Sequence, residues 1–345
     1  MSESVATPET PARTAAPRIV YALLAAVAIT FTVDSVAFRT DLYRKWIDPE
    51  SFAGQVDLVI RRCAGAASGK NAVVVGDSRM GEGFSQRVAN ETTPHLHWFS
   101  AAVSGTTPRS WYYLLREIDP NRDRFGVIVI PVDSYDDEDG TDELADRTLD
   151  TRILIFCLRL SDLSDYPFTF RGARARFETW RALLFKGFIV RDDIRAFLAD
   201  PSKRIETARL FAQYGKEWSD NYTGRPTTVS LDEARASALP REYPQTGRYG
   251  AYRSYWFRRI IARYRGTPVR IVFARAPAAP IPRPQPPIRF SRVIPTLSSA
   301  SVTVLDENLF SSLEQPRFFF DTSHLNTAGR ERFSAALAQS VSNAL

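Results

Sequence analysis

The run Asn71-Ala72-Val73-Val74-Val75-Gly76 constrains this chain more than any other stretch. A short β-branched segment without a polar face has to be covered on both sides, and it is too short for a buried helix. Strands of that kind belong to parallel sheets with helices on each face. The chain repeats the pattern. Gly126 to Val132 is nearly all apolar, as a central strand should be, and further strands are predicted at His97 to Val103, Val269 to Ala274 and Val302 to Leu305. Helices are predicted near Met80 to Val88, from Thr107 onward and from Thr327 to Leu345. Pro108 suits the first position of its helix, and Trp111, Leu114, Leu115 and Ile118 give that helix an inner stripe. Phe333, Ala336, Leu337 and Val341 do the same for the closing helix. Strand and helix in turn predict an α/β fold, three layers (α/β/α) around a parallel sheet of about five strands.

The N-terminal part follows a different rule. Ser2 to Pro17 is polar and rich in Pro and Ala, unable to bury a core, and is expected to be disordered. Ile19 to Phe38 is apolar apart from a few Thr and Ser and the single acid Asp34, and is long enough to cross about 30 Å of hydrocarbon. It reads as a transmembrane signal anchor. A cleaved signal peptide competes, since Arg13 and Arg18 precede the run and Ser35 or Ala37 could end a cleavage site; a buried soluble helix is a third reading. Arg39, Arg44 and Lys45 balance the basic residues on the other side, so charge alone does not orient the segment. The chain thus divides into a tail to residue 18, an anchor at 19–38, a lead-in at 39–70 and one domain over 71–345.

That domain is interrupted. Between Ser134 and Thr246 the alternation lapses into a long, mostly helical insertion, whose apolar segments Ile153 to Leu160 and Leu183 to Val190 are too short to span a bilayer. It is expected to form a lid over the site, a face that meets the membrane or a partner, or a unit packed on its own core. Its opening run Asp136-Asp137-Glu138-Asp139-Gly140 faintly suggests a calcium loop, but an EF-hand needs an acid where Tyr135 stands, which leaves a solvated acidic turn. The net charge of +6 suits anionic surfaces and would suit nucleic acid, yet no nucleic-acid motif accompanies it. Arg248 to Arg265 interleaves six arginines with Tyr249, Tyr252, Trp256, Ile260 and Tyr264 at steps of three and four, the pattern of an amphipathic core helix. The proline-rich connection Ala276 to Pro287 is expected to be a stiff loop on the active-site side. Cys63 and Cys157 are too few for a metal site and allow either one disulfide or two buried thiols. His95 and His97 alternate at a strand start, one expected toward the core and one toward solvent; with no third ligand they make no metal site. No metal or other cofactor is expected.

The candidate chemistry sits at the strand ends. The first strand stops at Gly76-Asp77-Ser78 and feeds a helix, so Ser78 stands where a helix N-terminus offers free N–H groups to an oxyanion. Most serines after strands are turn formers or N-caps, and Ser78 alone decides nothing. Near the other terminus, Asp321-Thr322-Ser323-His324 places one of only three histidines three residues after an aspartate. Serine attack on an acyl carbon needs a base titrating near neutrality and a carboxylate that fixes its tautomer; His324 and Asp321 supply both.

With Gly76-Asp77-Ser78 in its first block and Asp321-x-x-His324 in its last, the sequence resembles the SGNH (GDSL-like) hydrolase and acyltransferase superfamily. The resemblance implies an SGNH-like, flavodoxin-like sheet and a Ser78-His324-Asp321 triad. Gly105, in Ala102-Val103-Ser104-Gly105-Thr106, occupies the place of the family glycine whose N–H donates to the oxyanion. The third block departs from the family pattern Gly-x-Asn-Asp. Here Val132-Asp133-Ser134-Tyr135 follows the third strand, and Ser134, ahead of Tyr135, is the candidate donor in place of the asparagine. The His324-Leu325-Asn326 ending and the membrane segment resemble the envelope acyl-transfer branch, such as alginate O-acetylation and teichoic-acid D-alanylation proteins. That likeness implies an O-acyltransferase or esterase acting on acyl esters, acetyl above all, of an extracytoplasmic glycan or lipid-linked glycan. The implied location is the inner membrane, single-pass, with the catalytic domain facing the periplasm. The implied partners are an acyl donor, a glycan acceptor and a membrane acyl-exporting protein, with no nucleic acid. Two other readings stay open. One is a catalytically degenerate module that binds glycan or organises an acylation complex, which the missing asparagine motivates. The other is a secreted lipase or phospholipase, which would prefer long acyl chains.

Overall fold

The computed structural model describes residues 15–66, 70–132, 145–218, 232, 251–277, 279–281 and 294–345. Five strands form one sheet: β1 (Asn71–Gly76), β2 (His97–Ala102), β3 (Val127–Val132), β4 (Arg270–Arg275) and β5 (Val302–Val304). Every neighbouring pair is parallel, in the order β2-β1-β3-β4-β5. The chain leaves β1 to one side for β2 and returns to the other side for β3, so the connections diverge and open a crevice at the strands' C-terminal ends.

Alternate strand residues enter two separate cores, which is why the strands are apolar throughout. Val73, Val75, Ile128, Ile130, Ile271 and Phe273 pack on one face with residues of the helices Phe52–Ala64, Pro108–Ile118 and Ala251–Arg263. Ala72, Val74, Val127, Val129, Val272 and Ala274 pack on the other with Met80, Phe84 and the closing helix Thr327–Asn343. The α/β class, the all-parallel sheet and its five strands agree with the pattern in the sequence.

Several local expectations are corrected. The helix predicted at Met80 to Val88 is two, Ser78–Gly83 and Gln86–Thr92. Phe84 between them is extended, the Ser85 hydroxyl accepts from the Val88 N–H at 3.3 Å and caps the second, and Gly81 and Gly83 weaken the first. Neither His95 nor His97 faces the core. Both are exposed, because β2 begins only at His97 and leaves His95 in the preceding turn, outside the alternation. In the closing helix Ala338 rather than Ala336 is buried, beside Phe333, Ser334, Leu337 and Val341. The lead-in is part of the domain, since Val56, Val59 and Cys63 of Phe52–Ala64 belong to the main core. Cys63 and Cys157 are free buried thiols, and burial pushes both up to about 12.

The helix Ala15–Arg39 contains a segment of 22 residues, Arg18–Arg39, in which an 18-residue window reaches a mean hydropathy of 2.0, long and apolar enough to cross a membrane. Its one acid has a structural use. The Asp34 carboxylate accepts from the Lys186 N–H at 3.0 Å and the Gly187 N–H at 2.7 Å, the free amides at the start of the helix Gly187–Ala199. Arg39 donates to the Leu183 and Leu184 carbonyls at 2.5 and 2.9 Å, the free acceptors at the end of Ala173–Leu184. The acid meets a helix start and the base a helix end, so the apolar helix is clamped to the insertion by two complementary termini. Asp34→Ala should lower stability by about 1 to 2 kcal/mol, as loss of a cap does, whereas Asp34→Asn keeps an acceptor and should cost less. Thermal unfolding in detergent and proteolysis around residues 184–190 measure both, and identical behaviour of the two variants would assign the effect to charge instead.

The described part of the insertion packs on the rest of the chain in two places, and in the smaller one Ile155 and Val190 cluster with Ile47 of the lead-in. Ile153, Leu154, Cys157, Leu158, Tyr166 and Phe170 lie in the same core as the sheet. A buried polar knot ties the two together. The fully buried Arg109 donates to the Asp150 carboxylate at 3.2 Å and to the Ala145 carbonyl at 2.7 Å, with its guanidinium 3.9 Å from the Phe170 ring centre. Thr107 donates to the same Asp150 oxygen at 2.9 Å. On the helix Ala251–Arg263, Tyr252, Trp256 and Ile260 are buried, with Tyr264 just beyond its end, as the spacing requires. Its arginines are not simply solvated, since Arg259 pairs with Asp165 and Arg263 donates to the Asp119 carbonyl at 2.5 Å. The acidic run 136–140, Tyr249, residues 282–287 of the proline-rich connection and the tail before residue 15 lie outside the described residues.

Candidate active site

β1 can end where it does only because residue 76 is glycine. A Cβ there would stand 2.6 Å from Cβ and Cγ of Met80 and 3.1 Å from Cγ of Pro131. The Asp77 carboxylate then accepts from the Arg79 N–H at 3.0 Å and caps the helix Ser78–Gly83. Ser78 therefore occupies the first helical position, where the backbone N–H has no intrahelical acceptor. The loop after β2 is fastened to this turn. The Gly76 carbonyl accepts from the Val103 N–H at 2.9 Å and lies 2.7 Å from the Thr106 hydroxyl, while the Trp111 indole N–H donates to that hydroxyl at 2.9 Å. Gly105 has φ +68°, a left-handed conformation free for glycine and strained for other residues. Its carbonyl accepts from Arg147 at 2.5 Å, and its N–H has no acceptor among the described residues.

The third element is the turn before the closing helix. The Phe320 N–H donates to the His324 carbonyl at 3.0 Å and closes the loop. One oxygen of Asp321 accepts from the Ser323 and His324 N–H groups, both at 2.7 Å, and its other oxygen lies 2.7 Å from His324 Nδ1. The Phe320 ring stacks on the imidazole, centroids 5.6 Å apart. On the far side of the ring, His324 Nε2 lies 3.0 Å from Ser78 Oγ, across 246 positions of sequence. Burial pushes the Asp321 carboxyl up, but the hydrogen bonds from the His324 side chain and the Ser323 and His324 amides outweigh it and hold the carboxyl below the usual range. Asn326, one turn on, accepts from the Gly329 N–H at 3.0 Å, so the asparagine of the His-Leu-Asn ending is the N-cap of Thr327–Asn343.

No protein-family model matches the chain, and no curated protein matches it.

The structure brings Ser78, His324 and Asp321 into one hydrogen-bonded chain, with Gly105 on the loop alongside. Ser134 and Tyr135 lie outside the described residues. A further carboxylate was missed by sequence reasoning. Glu82 Oε2 lies 3.9 Å from His324 Nδ1, and that oxygen is buried without a hydrogen bond. Burial first, and Asp321 in addition, push the Glu82 carboxyl up, with His324 and Arg330 opposing. The available signal was its spacing, because a residue four after Ser78 on a helix shares its face. Next to Ser78 lies a pocket of about 190 Å³, lined by Asp77, Arg79, Gly105, Trp111, Arg147 and Arg253 among others. Arg147 is the insertion's one contribution to that lining among the described residues. Nothing in the sequence around Arg147 or Arg253 marked either as part of the site. No group of three His, Cys, Asp or Glu side chains suited to a metal ion occurs among the described residues.

Proposed function

We propose that this chain is an SGNH-type serine esterase or O-acyltransferase, acting on acyl esters of an extracytoplasmic glycan from a membrane-anchored domain. The observation that carries the reading is the 3.0 Å approach of His324 Nε2 to Ser78 Oγ with Asp321 at 2.7 Å on the opposite ring nitrogen. Those distances are within reach of proton transfer and tautomer control. The strand order 2-1-3-4-5 is the flavodoxin-like order, which supports the SGNH comparison at the level of topology.

In this mechanism Ser78 Oγ attacks the acyl carbonyl carbon and its proton passes to His324 Nε2. The Asp321 carboxylate holds Nδ1–H and stabilises the imidazolium that forms. The tetrahedral oxyanion accepts from the Ser78 and Gly105 N–H groups, with Ser134 the candidate third donor. Collapse breaks the bond to the leaving oxygen, which takes the proton from His324, and leaves an acyl-serine. A second oxygen nucleophile, water or a glycan hydroxyl, then gives its proton to His324 and releases Ser78. Hydrolysis and transfer differ only in which of these is admitted. The apolar helix Arg18–Arg39 supports single-pass anchoring, and the family resemblance supports an inner-membrane location with the domain on the periplasmic side, beside an acyl-exporting partner.

A serine-directed fluorophosphonate tests the reading. The full-length protein should be labelled at Ser78 and should release acetate from a simple acetyl ester, and Ser78→Ala should do neither. Equal acetate release by the two proteins would remove the enzymatic claim. Silence toward the probe with an intact unfolding transition would point to a glycan-binding module without catalysis.

A further inference from the structure

The apolar helix is too short to cross a bilayer unless the insertion enters it too. Every residue from Ile19 to Thr30 is exposed, but contact with the insertion begins at Phe31, whose ring meets that of Phe185 with centroids 6.1 Å apart. Three residues on, the Asp34 carboxylate accepts from the Lys186 and Gly187 amides. Phe38 packs so closely on Gly187 that a Cβ there would stand 3.0 Å from its ring. At about 1.5 Å per residue, Ile19 to Thr30 spans about 18 Å, whereas the hydrocarbon of a bilayer is about 30 Å thick. Borrowing length from the other end would draw the Arg18 charge inward, which is unfavourable. The crossing is completed only by including residues up to Phe38, and 31–38 are the residues against which the insertion packs.

The surface beside that contact suits lipid. Phe188, 52% exposed, continues the row of rings from Phe185 at 6.1 Å, and the Arg181 guanidinium lies 5.0 Å from its ring centre. Trp180, 45% exposed, and Phe177, 63% exposed, share a face of Ala173–Leu184 with Arg181 and Leu184, at steps of three and four. Ala175, Thr179, Ala182 and Leu183 are buried on the opposite face. The Leu184 carbonyl is one of the two that hold Arg39, so the exposed face starts at the apolar helix. Aromatic rings flanked by a guanidinium fit the boundary between acyl chains and headgroups, where the rings lie on the apolar side and the charge reaches toward phosphate.

We propose that the insertion enters the bilayer beside the apolar helix, with the rings of Trp180 and Phe188 between headgroups and acyl chains, so that the domain is embedded and not merely tethered. The rise from Phe31 to Phe38, about 10 Å, matches the depth to which interfacial helices sink. The proposal rests on the membrane-anchored reading and not on the acyl chemistry. Attachment at two elements fixes the distance of Ser78 from the lipid surface, which a single flexible tether would not do.

The test uses the full-length protein in vesicles of phosphatidylethanolamine and phosphatidylglycerol. A nitrobenzoxadiazole label is placed on one introduced cysteine at a time: Trp180→Cys, Phe188→Cys, Val27→Cys in the exposed apolar stretch, or Ala336→Cys. Ala336 is exposed on the closing helix, which packs on the opposite face of the sheet from the insertion. Cys63 and Cys157 are buried, and the unsubstituted protein supplies the background. Doxyl groups on the lipid chains, near the headgroup or deep in the chain, should quench the labels at 180 and 188 at least about twofold more than the label at 336, and the label at 27 likewise. If either variant fails to fold, as judged by its unfolding transition, Phe177→Cys takes its place. Labels at 180 and 188 quenched no more than the one at 336, with 27 quenched, overturn the proposal and leave a domain tethered by a spanning helix. An unquenched label at 27 overturns the anchored reading together with it.

Discussion

His324→Ala should lower acyl-ester turnover by about 10⁴-fold, with the folded state retained. Removing one member of a serine–histidine–carboxylate chain commonly costs that much, because the remaining groups no longer act as a unit. The imidazole is about one-fifth exposed and stacks on the half-buried Phe320 ring, so the thermal transition should move little. Asp321→Asn is the more informative companion. The asparagine oxygen can still accept from the Ser323 and His324 N–H groups, which keeps the loop closed. Its amide nitrogen then faces His324 Nδ1 and donates to it, forcing the proton onto Nε2, where the ring points at Ser78 as a donor instead of a base. The expected loss is again about 10⁴-fold in kcat, without loss of stability. Turnover of an acetyl ester within tenfold of wild type would show that Asp321 does not set the tautomer. Glu82, 3.9 Å from the same nitrogen, is then the carboxylate to replace next.

Asp150→Ala should be the most destabilising single change outside the site, by about 3 to 5 kcal/mol. Arg109 is fully buried, and its side chain is held by Asp150, by the Ala145 and Thr169 carbonyls and by the Phe170 ring. Taking away the carboxylate leaves a guanidinium in the interior with one counter-charge fewer, and leaves the Thr107 hydroxyl with Tyr252 as its one remaining partner among the described residues. Burial pushes the Asp150 carboxyl up, against the lowering effect of Arg109 and Arg147, which marks the balance between desolvation and pairing there. The double change Arg109→Met with Asp150→Leu removes both charges and should recover most of the loss, because replacing a whole buried pair by apolar groups is often near neutral. Thermal unfolding of the full chain in detergent distinguishes the outcomes. A shift equivalent to less than about 1 kcal/mol for Asp150→Ala would mean that water reaches the knot.

The two expectations connect through Arg147. It bridges Asp150 in the knot and the Gly105 carbonyl at the pocket. Loss of Asp150 therefore releases a side chain that holds the loop beside the nucleophile. A fall in activity of Asp150→Ala greater than its fall in folded fraction would report this link.

Much of the molecule was legible before any coordinates. Strands such as Val127–Val132, apolar at every position, can only be central, and their limits fell within a residue or two of those predicted. Where local chemistry outvoted periodicity, the reading failed. Ser85 capped a new helix inside the predicted Met80 to Val88, and His95 stayed in a turn that the alternation had counted as strand. The insertion resisted for a different reason. Its apolar residues have no fixed period because they fill gaps against the helices Pro108–Ile118 and Ala251–Arg263, and a contact between distant segments leaves no local signature.

The sequence by itself determined the α/β class, the apolar N-terminal helix and the residue types able to perform serine chemistry, since period, length and functional groups are properties of short stretches. Tertiary structure alone decided the rest. It set His324 beside Ser78, gave Asp34 a helix to cap, left the two cysteines unpaired and gathered Arg79, Arg147 and Arg253 around one pocket. Each of these depends on the path the backbone takes between residues far apart, and that path is fixed by how the whole core packs.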